Sequence, residues 1–111
     1  MDIRAVHRQT QALRYACYEN GREIAHAYLY CITNDGRAEP YGLLEDVFVD
    51  ESMRGKGVGT ALVRHVIAEA RSRGCCKLIG TSRYARQAVH AWYEKIGFKD
   101  YGKEFRMDFD L

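Results

Sequence analysis

The sequence predicts an α/β chain of the α+β kind, with a mixed, mostly antiparallel sheet and helices packed on it. Three observations lead there. Residues 11–49 are strand-like apolar runs separated by turn signals. Residues 47–62 pass from a β-branched run through alternating glycines into an amphipathic helix. Residues 75–111 then give a short strand, a helix and an alternating terminal segment.

Residues 1–10 are polar without a strong period, so they read as a short arm or an edge strand. Residues 11–18, rich in Leu, Tyr and Cys, read as the first strand. Asn20-Gly21 accepts the positive φ angles of a two-residue hairpin turn. Residues 23–33 then return as a second strand, with Ile24, Tyr28, Tyr30 and Ile32 on one side and Ala25, Ala27, Leu29 and Cys31 on the other. Both faces are largely apolar, which predicts cover on both. Asn34-Asp35-Gly36 and Pro40 mark a turn and loop before a third strand over 41–49.

A helix comes next over 58–72, with Leu62, Val63, Val66, Ile67 and Ala70 at helical spacing and Gly74 as its stop. Residues 75–81 read as a short buried strand, and 82–86 as a polar connection with Ser82 as a cap. Ala88, Val89, Trp92 and Ile96 give a second helix closed by Gly97. Phe105, Met107, Phe109 and Leu111 alternate with Glu104, Arg106, Asp108 and Asp110, which predicts a half-exposed strand over 98–111. No linker or repeat interrupts the order, so residues 1–111 are expected to form a single domain.

Composition narrows the function. The 111 residues are 47% hydrophobic and 29% charged, as in an ordinary globule able to bury a core. The formal charge is only +2, with both signs interspersed, so nothing points to nucleic acid or a membrane. No apolar run approaches the ~20 residues that span a bilayer. The first eight residues lack the apolar centre of a signal peptide, which predicts a cytoplasmic location. Cys17, Cys31, Cys75 and Cys76 form no Cys-x-x-Cys pair, and adjacent Cys75 and Cys76 would point to opposite faces of a strand. The histidines at 7, 26, 65 and 90 show no ligand spacing either. Reduced thiols and no metal are expected.

The chemistry centres on residues 47–62. A strand feeding a glycine loop that opens a helix makes an anion cradle, because the first helical turn has unpaired N–H groups and a partial positive charge. Glycine there lets a phosphate approach the bare backbone. The P-loop pattern is absent. The dinucleotide pattern fails too, since a start at Gly55 or Gly57 would require glycine at Thr60 or Leu62. What stands is Arg54-x-x-Gly57-x-Gly59, which resembles the coenzyme A pyrophosphate loop of the GNAT N-acetyltransferases. Val89-His90-Ala91-Trp92-Tyr93-Glu94-Lys95-Ile96-Gly97-Phe98 resembles the C-terminal motif of that superfamily. Leu44-Glu45-Asp46-Val47-Phe48-Val49 resembles its fourth strand.

The resemblance, over roughly residues 10–111, implies an acetyl-CoA-dependent acyltransferase acting on a primary amine of a small molecule or protein. It also leaves room for a non-catalytic acetyl-CoA-binding regulatory module. It implies that Val47, Phe48 and Val49 offer strand-edge groups to the pantetheine arm. Arg54, Gly55, Lys56, Gly57, Val58, Gly59 and Thr60 would hold the pyrophosphate, with Arg54 and Lys56 supplying charge. Two departures stand out. The usual strand and helices before the hairpin are replaced by residues 1–10, giving a short, N-terminally truncated form that predicts a homodimer. Arg86 stands where many relatives have asparagine, and with His90 it matches a subset of the family in a role left open.

Acetylation of an amine needs removal of its proton, because an alkyl ammonium titrates near pH ~10.4. Glu45 is the first candidate base, with Asp46, expected on the opposite side of the strand, or a water as alternatives. Equally, Glu45 reads as a strand carboxylate paired with a surface cation. Asp50 and Glu51 would repel the cofactor and are expected to face solvent. Tyr93 carries a phenol able to protonate the departing thiolate, or else a core ring whose hydroxyl meets a carbonyl. The acceptor itself is not legible.

Overall fold

The computed structural model describes residues 1–110. They divide into two compact units, Met1–Gly80 and the segment from Thr81 onward.

The first unit is a four-stranded sheet with one long helix on it. Strands β1 (Gln11–Glu19), β2 (Arg22–Ile32) and β3 (Tyr41–Val49) form an antiparallel meander, and β4 (Leu78–Gly80) pairs parallel with β3, giving the order β1-β2-β3-β4. Asn20 and Gly21 take φ of 51° and 76°, the doubly positive turn that the hairpin requires. Helix α1 (Val58–Ser72) packs on the sheet through Leu62, Val63, Val66 and Ala70. These meet Ala25, Ala27, Leu29, Cys31 and Leu44 in the core, where Leu29, Val63 and Val66 are fully buried. Gly74 ends the helix, and Cys75 N–H reaches back to the Ala70 carbonyl at 3.0 Å.

The opposite sheet face differs from the expectation. Tyr28, Tyr30 and Ile32 are half-buried rather than covered. Ile24 is buried on the α1 side because the β1–β2 register slips between Cys17 and Tyr18. The strand expected over 75–81 shortens to three residues. Cys75 and Cys76 precede it in irregular backbone, where Cys75 Sγ lies 3.8 Å from Cys31 Sγ and Cys76 is exposed beside Arg37. Burial, together with Cys31, pushes the Cys75 thiol up to about 11.

The second unit contains α2 (Gln87–Ile96). Its N-cap is Arg86 with no side-chain cap bond, so Ser82 does not cap it; Ser82 Oγ is buried without a partner. The terminal strand expected over 98–111 is not formed among the described residues. Phe105, Met107 and Phe109 are exposed, because alternation supplies a face but this unit holds no second strand to complete a ladder. Leu111 lies outside the described residues.

Candidate active site

The site is built on the second half of β3 and the loop that leads from it into α1. Parallel pairing with β4 covers only Gly42, Leu43 and Leu44. Gly42 makes that approach possible: a Cβ there would stand 2.8 Å from Leu78 Cδ1 and 3.1 Å from Leu29 Cδ1. Beyond Leu44, the edge of β3 turned towards β4 has no strand beside it among the described residues. Val47, Phe48 and Val49 therefore lie along an open strand edge, whose backbone groups are available to an extended ligand.

A β-bulge interrupts the other edge. His26 pairs with Phe48 and Tyr28 with Glu45, leaving Ala27 alone opposite Asp46 and Val47. Asp46 takes φ of 51°, one of two non-glycine residues with positive φ among those described. Side chains paired across a sheet share a face, so Glu45 and Phe48, though three apart, lie on the side of Tyr28 and His26. The expectation that Asp46 points away from Glu45 is thus corrected. Both carboxylates line one open cavity of about 600 Å³ with Thr10, Tyr28, Tyr30, Ile32 and Leu43. Asp46 accepts a hydrogen bond from His26 Nε2 at 3.0 Å. His26 and the bulge are what the sequence reading missed; an aspartate inside a strand, a residue type that tolerates positive φ, was the only local hint.

After Val49 a 3-10 turn, Glu51–Met53, leads into the glycine loop. Arg54 Nε donates to the Val49 carbonyl at 3.2 Å, tying the loop to the strand. Gly55 and Gly57 take φ of 76° and 82°, and a Cβ at either would meet nothing within 4 Å. Glycine is required there by backbone conformation rather than by crowding. Gly57 is the N-cap of α1, and Val58, Gly59 and Thr60 form its first turn, which carries no acidic side chain. Exposed Arg54 and Lys56 flank the turn. The loop has the bare backbone and positive setting that suit a phosphorylated ligand. Glu51 is exposed as expected, whereas Asp50 is half-buried and bonded to Ser52 and Arg22. The Ser52 hydroxyl, and then Arg22, hold its carboxyl below the ordinary range.

In the second unit, Tyr93 stacks on Trp92 with ring centroids 5.3 Å apart, and packs against Phe98 at 5.1 Å. His90 Nε2 donates to the Arg83 carbonyl at 2.8 Å, so its ring is bound within its own unit. Arg86 caps α2 by its backbone, its carbonyl receiving the N–H groups of Val89 and His90. Among the described residues no group of three or more His, Cys, Asp or Glu is placed to hold a metal, and no helix is long and apolar enough to cross a membrane.

Comparison with known proteins now gives this geometry a lineage. The model of the acetyltransferase (GNAT) family matches residues 2–98. A glucosamine 6-phosphate N-acetyltransferase of Trypanosoma brucei brucei is 38% identical over 83% of this chain and 62% of its own length. An aminoglycoside N(6')-acetyltransferase type 1 of Stenotrophomonas maltophilia is 32% identical over 80% of this chain and 60% of its own. A solved putative acetyltransferase from Agrobacterium tumefaciens superimposes with a TM-score of 0.84 at 34% identity, over 88% of this chain and 69% of that one. The chain spans about three fifths of the length of the two curated relatives. With the glycine loop, the open β3 edge and the family match in agreement, the chain belongs to the GNAT acetyltransferase family.

Proposed function

We propose that this protein is an acetyl-CoA-dependent N-acetyltransferase that moves the acetyl group to a primary amine of a small molecule or a protein. The observation that carries the reading is the continuous path from the open edge of β3 at Val47–Val49 to the left-handed glycines that open α1. In this reading Val47, Phe48 and Val49 bind the pantetheine arm by their backbone. Arg54, Gly55, Lys56, Gly57, Val58, Gly59 and Thr60 hold the pyrophosphate. Glu45, directly or through a water, takes the proton of the incoming ammonium, and Asp46 beside it in the same cavity is the alternative base. The amine nitrogen bonds to the thioester carbonyl carbon, the C–S bond breaks, the Tyr93 phenol gives its proton to the departing thiolate, and the second proton shed by the attacking nitrogen restores the phenol, leaving the neutral amide.

Two carboxylates and two tyrosine rings in one cavity favour a cationic acceptor. Amino sugars and aminoglycosides, the acceptors in the names of the relatives, both carry such an ammonium. The family match crosses the boundary between the two units, which supports one domain. We further propose a cytoplasmic homodimer with no nucleic-acid or membrane partner, in which a second copy completes the wall of the open cavity over its apolar residues Ile32 and Leu43 and leaves the tyrosines and carboxylates to the acceptor.

Thiol release from acetyl-CoA, measured with polyamines, amino acids, amino sugars, aminoglycosides and N-terminal peptides, tests the function. Turnover with at least one amine, lost in Glu45→Gln, is expected. Tight acetyl-CoA binding with no turnover on any acceptor would replace the enzyme by a cofactor-binding regulatory module.

A further inference from the structure

The bulge in β3 lies between the candidate base and the strand edge assigned to the thioester arm, so whatever holds it positions both. Its residue Asp46 sits in left-handed backbone that an L side chain adopts at a cost. Its carboxylate is bonded to His26 Nε2 at 3.0 Å. An ionised carboxylate only accepts, so Nε2 carries the proton.

The ring of His26 is itself fixed. It stacks on Phe48, on the far side of the bulge, with centroids 5.5 Å apart and planes at 26°. Its edge meets the Tyr28 ring at 6.1 Å. Its Nδ1 faces Glu23 Oε2 at 3.6 Å, and Glu23 is in turn held by both terminal nitrogens of Arg14, at 2.5 and 2.9 Å. The His26 side chain is 17% exposed, whereas that of Asp46 is 68% exposed. A mostly buried, packed ring therefore holds an exposed carboxylate.

The geometry points to His26 as a positioning residue: through Asp46 it fixes the β3 bulge, and with it the relative placement of Glu45 and the Val47–Val49 edge. The proposal rests on the function inferred above only for its kinetic consequence; the clamp itself is a property of the free protein. His26 touches no reacting atom. Without the bond, Asp46 loses what offsets its left-handed backbone, and the strand between Glu45 and Val49 samples other registers. The pyrophosphate cradle, beyond Arg54, keeps its shape.

His26→Phe keeps the stacking on Phe48 and removes the bond. Backbone amide exchange of residues 45–49, followed by NMR on the free protein, is expected to quicken at least tenfold. The kcat is expected to fall about tenfold, and CoA affinity by calorimetry to fall less than kcat, because the pyrophosphate cradle is untouched and only the Val47–Val49 contacts are loosened. His26→Gln, whose amide still donates to Asp46, is expected to keep at least a third of wild-type kcat and wild-type exchange. In an Asp46→Gly background, where glycine adopts the left-handed backbone unaided, His26→Phe is expected to add no further change in either measurement. Should His26→Phe not fold, His26→Asn, with an amide too short to reach Asp46, carries the same comparison.

Wild-type exchange in both bond-deleting variants would overturn the proposal. So would the same proportional loss in the Asp46→Gly background, because the ring would then act by packing alone. If the wild type acetylates no amine, the function fails by that result, and the exchange measurements still decide the clamp.

Discussion

Gly57 offers the sharpest separation of backbone geometry from ligand binding. It caps α1 at φ 82° and ψ 5°, and an added Cβ would meet nothing within 4 Å. Gly57→Ala therefore costs only the left-handed backbone, about 1–2 kcal/mol. Each kcal/mol moves Tm by roughly 4–8 °C in a small domain. Gly57→Asn costs less, because asparagine tolerates this conformation and its side chain can accept at the helix N-cap.

Coenzyme A should rank the two variants differently. A side chain at position 57 adds bulk at the N-cap, next to the first-turn N–H groups proposed to meet the pyrophosphate. Losing one charge-assisted hydrogen bond costs about 1.5–3 kcal/mol, or roughly 10- to 150-fold in Kd. Alanine is thus expected to lose both stability and affinity, and asparagine mainly affinity. Thermal melts and calorimetric titration of CoA on the same preparations give both quantities. A Gly57→Asn protein that binds CoA within twofold of wild type would put the pyrophosphate elsewhere. An asparagine variant less stable than the alanine one would refute the backbone argument.

Three further outcomes rest on particular contacts. Tyr93→Phe keeps the ring that stacks on Trp92; an acid role predicts a kcat loss of about 10²–10⁴-fold with CoA affinity retained, whereas a merely buried hydroxyl predicts about 1 kcal/mol of stability and near-normal turnover. A kcat within about threefold of wild type rejects the acid. Gly42→Ala drives a methyl against Leu78 and fully buried Leu29, so denaturant unfolding should register a loss of about 1–3 kcal/mol, partly restored by Leu78→Ala; an unchanged midpoint would refute the close approach. Cys75, its thiol raised to about 11, holds roughly a hundredfold less thiolate at pH 8 than an ordinary cysteine, so exposed Cys76 should label first with iodoacetamide by peptide mass spectrometry. Equal labelling of the two would mean that Cys75 is not shielded.

Much of the fold was legible because the signals were local. Asn20-Gly21 states its own turn, and Leu62, Val63, Val66 and Ala70 state the buried face of α1 whatever they pack on. Gly55 and Gly57 likewise report backbone conformations, so the cradle could be read before the fold. The failures belong to properties that need a partner. Residues 104–110 alternate apolar with charged at every step, yet a strand exists only where another completes its ladder. The approach of β4 to β3 depends on the missing side chain at Gly42, far off in sequence. Strict alternation would set the two carboxylates on opposite faces, but the strand does not alternate through the bulge at Asp46.

The bulge follows from what the core requires. Leu44 pairs with Leu29 and Val49 with Ala25, and on β2 those partners are an even step apart, both turned towards α1. On β3 the step from 44 to 49 is odd. An uninterrupted strand would turn one of them outward. Burying Leu44 while returning Val49 to the α1 side therefore demands one extra residue between them, and Asp46, with the side chain best able to accept left-handed backbone after asparagine and glycine, is where it falls. The same insertion turns Glu45, Asp46 and Phe48 to one face. The apolar requirement of the core thus produces the pairing of carboxylates at the site. Deletion of Asp46 makes that step even without the bulge: Leu44 and Val49 keep the α1 side and Glu45 and Phe48 keep theirs, so the core should hold, by an unchanged thermal melt, while the second carboxylate and its bond to His26 are lost.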